Sequence, residues 1–208
     1  MSKLKELIDK LCPNGVEYKE VQTICRTNTP KGKVKSNDYL KEGKYPVIDQ
    51  GQNFIGGYTN EDYSFPDGEY VIFGDHTCIV KYVNFAFVQG ADGVKVITTS
   101  DNVKPKYLYY CMSNISMPIG YARHWSKIKV KTIPLPPIEV QEEIVRILDN
   151  FTKCTAELQA ELQAREEQYE YYRNKLLSFE GRTDVEYKKL GEVCKLGTGS
   201  HNTQDGLT

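Results

Sequence analysis

Apolar positions along the chain follow three successive patterns. In the first, Leu4, Leu7, Ile8 and Leu11 recur at helical spacing behind Ser2, whose hydroxyl suits an N-cap, and the pattern stops at Cys12-Pro13-Asn14-Gly15. A short amphipathic helix is expected within 1–14. From Val16 to Ile133 the period changes to short runs of Val, Ile, Tyr and Phe broken by Gly, Asp, Asn and Pro. Residues 45–48, 69–73, 78–83 and 94–97 read as strands, with turns at Gly51, Gly56-Gly57, Pro66-Asp67-Gly68 and Asp92-Gly93. Residues 105–114 read as one helix with Pro105 in its first turn. A mostly β domain over 15–136 follows.

The third pattern begins after Ile133-Pro134-Leu135-Pro136-Pro137, where three prolines exclude a helix interior or a central strand and make a stiff joint. A Pro-rich peptide ligand is the competing use of such a segment. Residues 139–179 then contain neither Pro nor Gly. Stepping by four and three through them meets Ile144, Leu148, Phe151, Thr155, Leu158, Leu162, Arg165, Tyr169, Tyr172, Leu176 and Phe179. Nine of these eleven are apolar or aromatic, which is a coiled-coil seam. A long helix is expected within 137–180, and roughly forty residues at ~1.5 Å each make a rod about 60 Å long. Helices that lie on their own core usually run about 8–20 residues, so this one calls for a partner helix. Thr155 and Arg165 weaken the seam while fixing its register. The fold class is α+β, a mostly β domain followed by a long coiled-coil helix.

A repeat lies beyond the seam. Val16-Glu17-Tyr18-Lys19-Glu20-Val21-Gln22-Thr23-Ile24-Cys25-Arg26 recurs as Val185-Glu186-Tyr187-Lys188-Lys189-Leu190-Gly191-Glu192-Val193-Cys194-Lys195, with five of eleven positions identical. Each copy follows a helix. Residues 181–208 therefore read as the truncated start of a second β domain, and the unit of domain plus helix as one built to be used twice.

Charge changes the picture by dividing the chain. The net charge is −1, yet residues 1–136 hold 18 Lys+Arg against 14 Asp+Glu, and 137–208 hold 9 against 14. The basic part is the candidate for meeting phosphate, through Lys31, Lys33 and Lys35 and through Arg123, Lys127 and Lys129. Solubilising lysines are the bland alternative. No run of eighteen apolar residues could span a bilayer, and the first ten residues resemble neither a secretory signal nor a transit peptide, so a cytoplasmic location is expected. Six scattered cysteines without a Cys-x-x-Cys pair, and three distant histidines, indicate neither zinc nor disulfides; the thiols are read as reduced and mostly buried. No metal site is expected.

Catalytic signatures are missing where they would be sought. Gly43-Lys44 lacks the rest of a phosphate-binding loop, and Leu135-Pro136-Pro137-Ile138 lacks the polar and aromatic residues that would hold a flipped base. Asp75-His76 is the one local acid–base pairing, with no visible nucleophile beside it. What recurs instead is polar loops on glycine turns. Gln50, Gln52 and Asn53 offer amides suited to adenine edges, and His76 and Thr77 sit on a tight loop. The stretch Gly120-Tyr121-Ala122-Arg123-His124-Trp125-Ser126-Lys127 joins a guanidinium to aromatic rings. These are the candidate DNA contacts, and no residue is expected to be catalytic.

Three stretches carry a resemblance: Leu11-Cys12-Pro13-Asn14-Gly15-Val16-Glu17-Tyr18, Ile133-Pro134-Leu135-Pro136-Pro137-Ile138-Glu139-Val140-Gln141 and Gln168-Tyr169-Glu170-Tyr171-Tyr172-Arg173-Asn174-Lys175-Leu176-Leu177. The chain resembles the specificity subunits of type I restriction-modification systems, in a half-length form with one target recognition domain over 15–136. The resemblance implies a non-catalytic subunit that reads half of a split duplex DNA target, with long helices that pair antiparallel, space the halves and dock modification subunits. A restriction subunit joins for cleavage. S-adenosylmethionine then belongs to the modification partner, and ATP and Mg to the restriction partner; this chain itself carries no cofactor. Combined with the seam, the resemblance predicts a homodimer through Ile144, Leu148, Phe151, Leu158, Leu162, Tyr169, Tyr172, Leu176 and Phe179. A non-productive fragment or decoy, or a coiled-coil scaffold with no DNA role, are the alternative readings.

Overall fold

The first unit of the fold is organised around a strand buried on both faces. A computed structural model describes residues 2–90, 93–116, 122–194 and 197, and divides the chain into units of residues 1–153 and 154–208. In the first, β5 (Tyr70–Gly74) is buried at every position and lies inside an antiparallel sheet, between β8 (Val94–Thr99) and β6 (Val80–Val83), with β2 (Cys25–Asn28) beyond β8. Because side chains alternate along a strand, Val71 and Phe73 enter one core and Tyr70 and Ile72 another. The first core is closed by α2 (Val21–Ile24), α3 (Pro105–Ser113) and α4 (Trp125–Ile128), which contribute Val21, Ile24, Leu108, Met112 and Ile128. The second includes Ile48 of β3 (Tyr45–Ile48), a strand flanked by antiparallel β4 (Gly57–Thr59) and parallel β7 (Val88–Gln89). Within it Phe65 stacks on Phe87 at 5.1 Å and Tyr70 meets Phe87 edge-on at 5.5 Å.

The local expectations can be followed residue by residue. Ser2 caps α1 (Lys3–Leu11), accepting from the Lys5 amide at 3.4 Å, and α3 begins at Pro105 as expected. The proline segment differs in part. Thr132–Pro134 forms strand β9, paired antiparallel with β1 (Tyr18–Glu20). A two-stranded sheet is all edge, so Pro134 needs no amide there, and its carbonyl accepts from the Tyr107 hydroxyl at 2.9 Å. The thiols also differ: Cys25 alone is buried and pushed up to about 11 by burial, whereas Cys154 and Cys194 are exposed. Those two lie outside any core. Of the Asp92-Gly93 turn, Asp92 lies outside the described residues, while Gly93 takes φ +81°, which glycine tolerates.

Helix α5 (Ile138–Leu177) starts on the first unit through polar contacts. Gln141, fully buried, accepts from the Lys104 amide at 2.9 Å and donates to the carbonyls of Asn102 at 2.9 Å and Pro136 at 2.8 Å. Glu143 accepts from Arg146 and from Lys3 of α1, and these cations hold its carboxyl at about 2. Asp149 accepts from Lys106 at 2.7 Å and from the Tyr110 hydroxyl at 2.6 Å. In the second unit the seam residues of α5 are exposed, with Leu158, Leu162, Tyr169 and Leu176 at 60–71%. The unit also contains α6 (Leu190–Val193), the counterpart in the repeat of α2. The residues before the two helices, Glu20 and Lys189, share φ near −65° and ψ near 140°. Val21 and Ile24 are buried, and their counterparts Leu190 and Val193 are exposed. Of residues 181–208, those at 195–196 and 198–208 lie outside the described residues.

Candidate nucleic-acid interface

Three of the polar loops singled out by sequence are hydrogen-bonded to one another. The loop 49–53 follows β3, and Gln50 reaches from it to the β5–β6 turn: its side-chain Oε1 accepts from the His76 amide at 3.2 Å, and its carbonyl accepts from the Thr77 hydroxyl at 2.8 Å. The approach is close enough that a Cβ on Gly74 would stand 2.3 Å from Thr77 Oγ1 and 2.8 Å from Gln50 Cβ, so only glycine fits. The third loop is fixed by Asp75. Its carbonyl accepts from the His124 amide at 2.8 Å, its carboxylate from the Trp125 amide at 2.7 Å, and its own amide donates to Gly93 at 2.6 Å.

This geometry assigns Asp75 a role that sequence reasoning left open. At 6% exposure and with its carboxylate bound to a backbone amide, it is a loop tie rather than half of an acid–base pair. His124 is corrected likewise: at 2% exposure its ring cannot be offered to a groove, and it is removed from the candidate contacts. Trp125 is half-buried, 5.8 Å from Phe73, and supports the loop from the core side. Arg123 and Lys127 are exposed on either side of these two residues. Lys127 lies near enough to Cys78 to oppose the upward push that burial and Asp75 exert on that thiol. Gly120 and Tyr121 of the same stretch lie outside the described residues.

The remaining candidates divide. Gln52 and Asn53 are exposed on the first loop. Lys31, Lys33 and Lys35 are exposed on a segment whose Val34 is buried and bridges Gly90 in parallel, beside the end of β7. Because β7 also runs parallel to β3, Lys35 emerges at the same strand ends as Gln50. Lys129 is set apart: it is half-buried, and its carbonyl accepts from the Gln22 amide next to α2. Sequence reasoning did not single out Lys81 as a site residue. On β6 at 5% exposure, its ammonium donates to the carbonyls of Asp49 at 2.9 Å and Asn53 at 2.6 Å and stands 3.5 Å from the Asp49 carboxylate. The arrangement offers amides, a hydroxyl and cations on loops of fixed shape, which suits reading edges and phosphates.

Comparison with known proteins gives a consistent result. Residues 13–167 match the type I restriction modification DNA specificity domain. The chain is 39% identical over 97% of its length to the specificity subunit of the type I restriction enzymes EcoR124I and EcoR124II of Escherichia coli, of which it covers 54%. It is 29% identical over 93% of its length to a putative type I restriction enzyme specificity subunit of Haemophilus influenzae, again covering 54%. The chain thus spans about half the length of these curated relatives. The fold is similar to the crystal structure of a type I restriction-modification S subunit from M. genitalium, with TM-score 0.55 at 17% identity over 81% of this chain and 48% of that one. A structure from a study of type I R-M complex assembly gives 0.54 at 21% identity, over 76% and 44%. Among the described residues, no helix is long and apolar enough to cross a membrane.

Proposed function

The chain belongs to the family of type I restriction-modification DNA specificity subunits, and on that premise we propose that it reads one half of a bipartite duplex target and works as a pair of identical halves. The family's part in these systems is recognition rather than catalysis. In the proposed assembly two copies pair antiparallel along α5, each recognition unit meets one half-site, and the pair directs modification and restriction subunits to the site. Methylation then draws on S-adenosylmethionine held by the modification partner. Two-fold symmetry requires inverted, identical half-sites around an unread spacer. A helix of this length supports half-site centres more than one duplex turn apart in such a pair.

The observation that carries this reading is the course of the apolar stripe on α5. Ile144 and Leu148, its first positions, line a groove of about 620 Å³ together with Tyr107, Tyr110, Cys111 and Ile133. Its later positions on the helix, from Phe151 to Leu176, stand exposed. In an antiparallel pair centred on Leu162, residue 176 of one copy falls opposite 148 of the other, and 172 opposite 152; Phe179, counted in the seam by its spacing, lies just past the end of α5. Asp149 then meets the end of the helix that carries Arg173 and Lys175. A Leu176→Cys variant tests the pairing because native Cys111 lies in the groove. Mild oxidation is expected to give an intermolecular bond between residues 111 and 176, identified by peptide mass. A 176–176 bond would instead mean parallel pairing, and a monomer in sedimentation would remove the pair. Reading of DNA is tested separately: co-expression with a modification subunit should yield methylated adenines at one inverted motif, and no motif means no reading.

A further inference from the structure

We propose that Lys81 is the positioning residue that sets the shape of the loop 49–53, and through that loop the base preference of this domain, without itself touching DNA. The inference rests on the reading of DNA proposed above. An ammonium has three hydrogens to donate, and the surroundings of Lys81 supply three acceptors: the carbonyl of Asp49, the carbonyl of Asn53 and the carboxylate of Asp49. The two carbonyls are the ends of the loop. One cation therefore closes five residues into a ring, and no hydrogen of Lys81 remains for a phosphate.

The rest of the ring is equally committed. Asp49 also accepts from the Gly51 amide at 2.8 Å and from the Tyr39 hydroxyl at 3.3 Å, which fixes the first turn of the loop from inside. Gln50 is tied to the β5–β6 turn. The side chains of Gln52 and Asn53 project exposed from this closed frame. Lys81 faces Ile72 across the sheet, on the side of the second core, and desolvation there lowers its pKa. An apolar residue would avoid that desolvation. What the lysine contributes in exchange is a fixed position for both loop ends, and a binding constellation has to be held to within about 0.5 Å.

The test uses the full chain and two duplexes. A pool of randomised duplexes is enriched on the wild-type chain and sequenced, and the enriched duplex and a scrambled duplex of equal composition are titrated over a salt series. For Lys81→Met, affinity for the enriched duplex is expected to fall at least about tenfold, while affinity for the scrambled duplex and the salt slope stay as in the wild type, since the slope counts phosphate contacts. Unchanged affinity for the enriched duplex overturns the proposal. So does a slope reduced by about one charge, which would make Lys81 a phosphate contact. Should Lys81→Met fail to fold by circular dichroism, Asp49→Asn decides on the same duplexes: a lowered ratio of enriched to scrambled binding supports the frame, and an unchanged ratio overturns it. If the wild type enriches no motif, the reading of DNA itself fails and takes this inference with it.

Discussion

The start of α5 and its continuation beyond Asn150 are one unbroken helix, yet their burial is the reverse of what their side chains suggest. Near the start, Gln141 and Glu143 are buried at 0% and 3%, while further on Leu158, Leu162 and Leu176 are exposed at 67%, 60% and 71%. The difference lies in partners. The loop ends at Asn102, Lys104 and Pro136 leave an amide and two carbonyls that a glutamine matches, so a polar side chain is the better fit inside. Among the described residues the leucines meet no such match and stand exposed along one face of the helix, the face proposed above to pair. Burial thus reports complementarity, and hydrophobicity only in part.

That contrast can be broken or sharpened by substitution, beginning with the largest effect. Leu162→Asp places a carboxylate at the centre of the proposed pair in both copies; self-association should weaken by at least ~100-fold, about 3 kcal/mol. Sedimentation equilibrium measures this, and the melting of the first unit should not move. A variant that still pairs like the wild type would mean that the stripe is not the interface. Gln141→Ala should do the opposite. It leaves a buried amide and two carbonyls without their partner, for a loss of about 1–3 kcal/mol in denaturant unfolding with association unaltered. The exposed Gln163, bonded to Glu167 one turn on, serves as the control, and its replacement by Ala should stay within ~0.5 kcal/mol.

A smaller effect is expected at Glu143, because Arg146 and Lys3 reach it from exposed positions where water screens them. Its carboxyl is held at about 2 by hydrogen bonds from Arg146 and then Lys3, below the ordinary 4.5. A depressed carboxyl stabilises the fold fully above its unfolded value and loses that contribution as pH falls through the folded one. The tie of α1 to α5 should therefore weaken between about pH 4.5 and 2, and Glu143→Gln should flatten that part of the stability curve in a pH series of thermal melts. The smallest effect belongs to the surface pair of Lys104 and Glu142, 2.6 Å apart with both side chains about half exposed. Glu142→Gln should cost less than ~1 kcal/mol and lose even that in high salt.

Much of the scaffold was legible beforehand. The β-branched and aromatic runs read as strands at 45–48, 69–73, 78–83 and 94–97 fall within one or two residues of the observed Tyr45–Ile48, Tyr70–Gly74, Val80–Val83 and Val94–Thr99, and α3 is announced by Pro105 at its start. β1, α2 and α4 were not, since three or four residues carry no usable period and these elements are held by distant partners such as Thr132–Pro134 and Phe73. The candidate loops were also legible, as polar residues on glycine turns, but their meeting was not. Gln50 and His76 are 26 positions apart and touch only because the sheets bring their strand ends together. Lys81 left one signal that could have been read: in the alternation of β6 it shares the inward face with Val83, where a lysine is out of place unless it is bound.

The two copies of the repeat mark the boundary between what the sequence by itself determined and what only the tertiary structure decided. Both form the same four-residue helix after a residue of the same backbone conformation, because caps, turns and helical spacing are settled by neighbours within a few residues. Val21 is buried by strands and helices fifty or more positions away in the chain, and Leu190, its counterpart, stands exposed. Periodicity is a local property of the backbone, whereas burial, loop convergence and the binding of Gln141 and Lys81 need long-range register, which no short stretch of residues contains.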